Sequence, residues 1–335
     1  MPVDETRRGE LEGLMDLAMA EANRVRASTS PNPWVGAVVI SSDGAERYFG
    51  ATEAPGGRHA EVVALEAAGP AARGGTLVVT LEPCSHRGRT GPCVEAIATA
   101  GIATCVLGMR DPDPLVDGQG VQGLKAAGIE VLEAVRAHEV AEQLSAYLHH
   151  RRTGHPQVVL KLATTLDGRI AAADGSSRWI TSAEARADVH RLRAEADAIL
   201  VGAGTVRADD PSLTARTDPP ASRQPLRVVL GAIPEGAAVE PAISMSGPIP
   251  QILDDLGARG ILQVLVEGGA SVAHSFVQAG LVDRVVLYLA PALMGGDDGA
   301  PVLRGPGAAS IEAVRRGRFV SVTRLGDDLR MEVQL

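Results

Sequence analysis

The apolar positions of this chain change rhythm many times, and each change predicts an element. Over residues 5–27, Leu11, Leu14, Met15, Ala18, Ala22 and Val25 return at steps of three and four, which places them on one helix face. The polar segment STSPNP gives way to the apolar run VGAVVI, and SSDG with ERYFG then reads as a hairpin. HAEVVALEAAG predicts a helix closed by Gly69, and TLVVTLEP a short buried strand. CVEAIATAG predicts another helix, with Pro92 at its first position and glycine past its end. ATCVLGM predicts a strand, GLKAAGIEVL a helix passing into a strand, and residues 137–149 one more helix. Strands alternating with helices predict an α/β layer with a largely parallel sheet.

The segment HRRTGHP, His150 to Pro156, breaks the pattern with charge, glycine and proline. The predicted domains are therefore 1–149 and 150–335. The second half restarts with the strand VVLKLA. A helix near 182–195, the strand DAILVG, a loop over 215–225 and the strand LRVVLG follow. Residues 232–250 are weakly patterned. ILQVLVEGGASVAHSFVQAG reads as strand, glycine turn and helix, and VDRVVLYLAP, RFVSVTRLG and RMEVQL as strands. No internal repeat appears, so the halves are two different α/β modules.

Composition narrows the picture. A length of 335 residues favours two domains over one core. Aromatics are only 2%, so the cores must be built from Ala, Val, Leu and Ile. A net charge of −9 argues against general nucleic-acid binding, which needs a basic face, and Arg315, Arg316 and Arg318 read as a solvated turn. No apolar run approaches the roughly 18 residues of a membrane helix, and MPVDETRRGE lacks the apolar core of a signal peptide. A cytoplasmic protein is expected, in which three cysteines do not suggest a disulfide framework.

Two of those cysteines stand in LEPCSHRGRTGPC, each directly after a proline. Upstream, His59 and Glu61 open a predicted helix in the order His-x-Glu. One imidazole and two thiolates suit zinc and leave its fourth position for water, whose pKa then falls towards about 7. A nearby carboxylate outside the coordination shell can carry a proton to a leaving amine. Residues two apart on a helix point about 200° apart, so His59 and Glu61 can converge only at its opening turn. Cys93 falls at a predicted helix start, which favours its thiolate. The pattern is that of zinc deaminases, although many of these have Cys-x-x-Cys where this chain has a longer interval. The alternative is a closed structural zinc site with His86 or Cys105 as fourth ligand.

HAE, TLEPCSHRGRTGPC and PNPWVGAVVI resemble the deaminase domain of the bifunctional riboflavin-biosynthesis deaminase/reductases. The resemblance implies a cytidine-deaminase-like α/β/α domain, with His59, Cys84 and Cys93 as zinc ligands and Glu61 as proton shuttle. It also implies that Asn32, His86 and Arg89 face the substrate. Thr52 and Ser30 stand where relatives often carry histidine, and Trp34 where they carry a smaller or polar residue.

In the second half, VGAGTVRADDP is a poor dinucleotide fingerprint, because Arg207 replaces the third glycine. VEGGAS is a strand–glycine–helix junction whose backbone N–H groups could hold a phosphate. KLATTLDGRIAAADGSSRWITS, DAILVGAGTVRADDPSLTAR and LVEGGASVAHSFVQAGLVD resemble the reductase domain of the same family. That implies a dihydrofolate-reductase-like α/β fold using NADPH. By position, Ala163, Trp179, Thr205, Asp209 and the turn Gly269, Ala270, Ser271, Val272, Ala273, His274 and Ser275 would meet NADPH. Ser177, Arg193, Leu213, Arg216 and Glu267 would meet the ribosyl-phosphate substrate, the two arginines by paired bonds to phosphate. Ala232 stands where relatives have a cofactor-contacting serine.

The expected activity is zinc-dependent hydrolytic deamination of 2,5-diamino-6-(5-phosphoribosylamino)pyrimidin-4-one, then NADPH-dependent reduction of the ribosyl chain to ribityl. The expected partner is this phosphorylated pyrimidine, with no nucleic acid and no membrane, in a homo-oligomer (dimer or tetramer). Two rivals are a nucleoside or base deaminase, and a degenerate zinc scaffold fused to an active reductase.

Overall fold

The computed structural model describes residues 5–85, 91–114 and 116–335, and its chain divides between Thr153 and Gly154. The first unit carries α1 (Glu5–Val25), β1 (Gly36–Ile40), β2 (Arg47–Ala51), α2 (Ala60–Ala68), β3 (Thr76–Leu81) and α3 (Cys93–Ala100). It continues with β4 (Thr104–Met109), α4 (Gln119–Ala126), β5 (Glu130–Leu132), α5 (Ala137–Gln143) and α6 (Ser145–Thr153). The sheet order is β2-β1-β3-β4-β5. Only β3, β4 and β5 pair in parallel, because the β1–β2 hairpin adds antiparallel pairs at one end.

Two glycines explain how the helices lie on this sheet. A Cβ on Gly36 would fall 1.9 Å from the Ala18 carbonyl oxygen of α1, and one on Gly50 would fall 2.2 Å from the Ala60 oxygen of α2. Gly50 pairs across from Ala37, the neighbour of Gly36. Successive strand residues face opposite ways, so α1 and α2 cover opposite faces in an α/β/α arrangement. With few aromatics, the buried layer is Ala, Val, Leu and Ile brought to backbone contact.

Two local expectations shift. The single helix over 137–149 is two helices parted at Leu144, and the second runs on through the expected boundary to Thr153. Pro92 is the cap of α3, not its first residue, because its carbonyl accepts the first helical N–H bonds from Glu95 and Ala96.

The second unit contains β6 (Gln157–Thr165), β7 (Arg169–Ala171), α7 (Ala183–Glu195), β8 (Ala198–Gly202), α8 (Ala203–Asp209), β9 (Leu226–Leu230) and β10 (Ala242–Met245). After these come α9 (Ile249–Ala258), β11 (Gln263–Val266), α10 (Ala270–Ala279), β12 (Arg284–Ala290), β13 (Ala300–Pro301), β14 (Arg318–Leu325) and β15 (Asp328–Gln334). The large sheet runs β10-β9-β8-β11-β6-β12-β15-β14, parallel up to β12 and closed by the antiparallel β14–β15 hairpin. Ile199 and Val201 pack in one apolar cluster with Ala185 and Leu192 of α7. Ala198 and Leu200 face a second cluster with α9 and α10. Two short helices, α8 and α9, are absent from the sequence expectation. Pro248 and Pro250 obscure the start of α9, although its Ile252, Leu253 and Leu256 are buried.

Candidate functional site

Three loops of the first unit converge on one set of donors. His59 caps α2 in extended backbone, Cys84 follows β3, and Cys93 opens α3. The Val94 N–H reaches the Cys84 carbonyl at 3.3 Å, which ties the two cysteine segments together. His59 Nδ1 lies 3.2 Å from Cys93 Sγ and 3.6 Å from Cys84 Sγ, and the three donor atoms all fall within 4.8 Å of one another. Tetrahedral zinc with ordinary bond lengths places nitrogen about 3.6 Å from sulfur and two sulfurs about 3.8 Å apart, so this donor set fits the ion.

The two thiols are linked to each other electrostatically. Hydrogen bonding from Cys93, with help from His59, outweighs burial and lowers the Cys84 thiol to about 4. Cys93 is pushed up by its bond to Cys84 and by burial. Cys105 sits buried in β4, raised by desolvation and outside the donor cluster, so it is not a fourth ligand. His86 and Arg89 lie outside the described residues.

Glu61 stands at the second position of α2, 4% exposed, with its carboxyl pKa raised by burial. His59 and Glu61 do meet at the opening turn of the helix, on the wall of a cavity of about 460 Å³. Asn32 lines the same cavity, as does Thr52. The Thr52 hydroxyl is already engaged, accepting the Val35 N–H at 3.2 Å. Trp34 is buried beneath the Arg26 guanidinium, 5.2 Å from its ring.

The far wall was not anticipated. Glu82 is buried and accepts the backbone N–H groups of Asp111, Gly118 and Val121 at 3.3, 3.1 and 2.9 Å, which fixes the loop after β4. Asp111 is raised to about 6 by burial and receives the Tyr147 hydroxyl on both oxygens at 3.1 and 3.0 Å. Arg151, one turn beyond Tyr147 on α6, lies over its ring at 5.0 Å. The sequence signal available was the RDPDP turn directly after a buried strand, but nothing in it points to α6.

In the second unit, Arg193 and Glu267 come together. Arg193 Nε donates to Glu267 Oε1 at 2.7 Å, Nη2 to Oε2 at 3.0 Å, and Nη1 to the Thr214 carbonyl at 3.3 Å. Its two parallel bonds here serve the Glu267 carboxylate. Lys161, also unanticipated, lies 3.7 Å from the same carboxylate. Arg216 Nη1 reaches Ser212 and Thr214 hydroxyls, and the Arg216 N–H meets His190. Leu213 is buried in the core, which leaves only its backbone for a substrate.

The cofactor positions divide. Thr205 Oγ1 accepts the Gly269 N–H at 3.2 Å and so joins α8 to the glycine turn before α10. Ala270 to Ser275 form the first turns of α10 rather than a loop, and Ala270 and Ala273 face the core. The Ala273 N–H is spent inside the helix on Gly269. Ser275 bonds back to Ser271, and His274 to Gln278. Trp179 is 71% exposed, with Arg186 4.5 Å from its ring centre. The Asp209 carbonyl accepts from Arg178. Ala163 pairs across from Tyr288 on β12, and Ser177 is half-buried. Among the described residues no helix is long and apolar enough to cross a membrane.

This is a zinc-binding deaminase domain followed by a reductase domain. Residues 9–109 match the cytidine and deoxycytidylate deaminase zinc-binding region, and residues 156–331 match the RibD C-terminal domain. The riboflavin biosynthesis protein RibD of Mycobacterium tuberculosis is 45% identical over 331 residues, covering 96% of this chain and 97% of that one. The Escherichia coli protein of the same name is 37% identical, covering 95% and 97%. The structure of Acinetobacter baumannii RibD superposes with a TM-score of 0.90 at 36% identity, covering 98% of this chain and 99% of that one. The Thermotoga maritima diaminohydroxyphosphoribosylaminopyrimidine deaminase/5-amino-6-(5-phosphoribosylamino)uracil reductase does so with a TM-score of 0.90 at 34% identity and the same coverage. The chain belongs to the RibD family of bifunctional riboflavin-biosynthesis enzymes.

Proposed function

We propose that the first unit removes the 2-amino group of 2,5-diamino-6-(5-phosphoribosylamino)pyrimidin-4-one, and that the second reduces the ribosyl chain of the product to ribityl with NADPH. The observation that carries the first half is the cluster of His59, Cys84 and Cys93 beside a cavity that His59, Cys84 and the buried Glu61 line. Those three residues would hold zinc, which when bound would make water a nucleophile near neutral pH. Glu61 lies close to the donors without joining them, and burial favours its protonated form. It takes a proton from the attacking water and returns one to the departing amine, so water enters and ammonia leaves. Asn32, on the cavity wall, orients the ring.

In the second unit, Ser177, Arg193, Leu213, Arg216 and Glu267 meet the ribosyl-phosphate substrate. Thr205, Asp209, Trp179, Ala163 and the Gly269–Ser275 segment face the cofactor. Arg193 acts by holding Glu267. A cytosolic homo-oligomer goes with this reading, supported by exposed Phe319 and Val322 on the edge strand β14, and sedimentation of the purified protein tests it.

The experiment is ammonia release by wild type and Glu61→Gln, with bound zinc measured in both. Loss of about 10²- to 10⁴-fold with zinc retained is expected. NADPH oxidation with the deaminated substrate should be unchanged in the variant. A wild type that holds zinc yet releases no ammonia would favour a scaffolding metal, and faster turnover of nucleosides would favour a nucleoside deaminase.

A further inference from the structure

The deaminase cavity is strongly acidic. Glu61, Glu82, Asp111 and Asp113 line it, and Arg151 is the only arginine or lysine among its described lining residues. A substrate carrying a phosphate brings up to two more negative charges into this space. Two of the carboxylates are already quenched, Glu82 by three backbone N–H groups and Asp111 by the Tyr147 hydroxyl and the Asp113 N–H. Arg151 is differently placed. Its guanidinium lies over the Tyr147 ring at 5.0 Å, and its Nε forms an ion pair with Asp113 Oδ2 at 3.5 Å that falls short of a hydrogen bond. Its Nε is buried without a hydrogen-bond acceptor among the described residues. A buried N–H donor left unmatched is costly, and an anion reaching it would recover that cost.

We infer that Arg151 binds the phosphate of the deaminase substrate and makes the first unit selective for a phosphorylated pyrimidine. Tyr147 is a positioning residue, whose ring holds the guanidinium against the cavity while its hydroxyl keeps Asp111 from competing for it. Asp113 is the internal competitor that the phosphate displaces.

The inference rests on the deaminase reading above, and the test keeps the two apart. Ammonia release is followed for the phosphorylated substrate and for its dephosphorylated counterpart, in full-length zinc-loaded wild type, Arg151→Gln and Asp113→Asn. Arg151→Gln should raise KM for the phosphorylated substrate about 10- to 100-fold, the range for a charged hydrogen bond, with kcat little changed. Its KM for the dephosphorylated substrate should stay that of wild type. Asp113→Asn should lower KM for the phosphorylated substrate alone. An unchanged KM in Arg151→Gln, or equal losses on both substrates, overturns the inference. Should Arg151→Gln lose its zinc or fail to fold, Asp113→Asn decides: a lower KM confined to the phosphorylated substrate supports the role, and no such change refutes it. A wild type that releases no ammonia from either compound defeats the deaminase reading itself.

Discussion

Replacing Arg193 by methionine should destabilise the second unit in a pH-dependent way. The Glu267 side chain is 7% exposed, that of Arg193 13% and that of Lys161 18%, so the carboxylate is paired largely out of water. Burial alone would raise the Glu267 pKa, but Arg193 and then Lys161 outweigh it and hold it below its ordinary value. A lowered folded pKa means that the pair contributes stability above the unfolded carboxyl pKa and loses it as pH falls through the folded one. Removing one partner of a buried pair costs about 3–5 kcal/mol. Lys161 remains 3.7 Å away, which places the expected loss at about 3 kcal/mol at pH 7. In the variant, burial pushes Glu267 up, so the loss should shrink at pH 5, where a neutral carboxyl needs no partner. Adding Glu267→Gln to Arg193→Met should return part of the stability by removing the unpaired charge. Because two units make one global unfolding energy ill-defined, the assay is hydrogen exchange at β8 and β11. A loss under about 1 kcal/mol, or one equal at pH 5 and pH 7, would refute the argument.

Two further outcomes follow from the first unit. Stripping zinc with a chelator should abolish ammonia release and leave NADPH oxidation intact, and zinc alone among added ions of comparable charge should restore full release; Cys84→Ala should prevent the restoration. Gly36→Ala should destabilise the first unit severely, because the new methyl group would meet the Ala18 oxygen at 1.9 Å and the Ala22 nitrogen at 2.7 Å, both of them backbone. Thermal unfolding and α1 hydrogen exchange would show it, and a variant as stable as wild type would mean that α1 does not lie on β1 in this way.

What the sequence reveals depends on how local the chemistry is. His59 and Glu61 are two positions apart at a helix start, and each cysteine follows a proline, so the donor set is legible before any fold is known. Regular elements with clean periodicity, such as α1 and β12, are equally plain. Elements that open on proline, such as α9, are not, because the first turn carries no apolar period. Leu144 breaks the helical run near the boundary although 137–149 keeps its apolar rhythm, since the break depends on packing and not on composition.

The Arg193–Glu267 pair spans 74 positions and the Tyr147–Asp111 pair 36, and neither residue in either pair announces the other. The sequence gives no sign that the Arg193 guanidinium is engaged by a second residue of the chain. Only the sheet order, which puts the end of β11 beside β8 and β6, shows that a carboxylate reaches it first. The same reasoning runs in the opposite direction for the cavity. Arg151 carries no motif, yet α6 brings it to a wall whose other charges are all negative. A charged residue's role is thus set by which of its donors the fold has already satisfied. By that measure Arg193 is held by the protein's own Glu267, whereas the buried Arg151 Nε, paired only loosely with Asp113, has no hydrogen-bond acceptor among the described residues and is free to take one from a ligand.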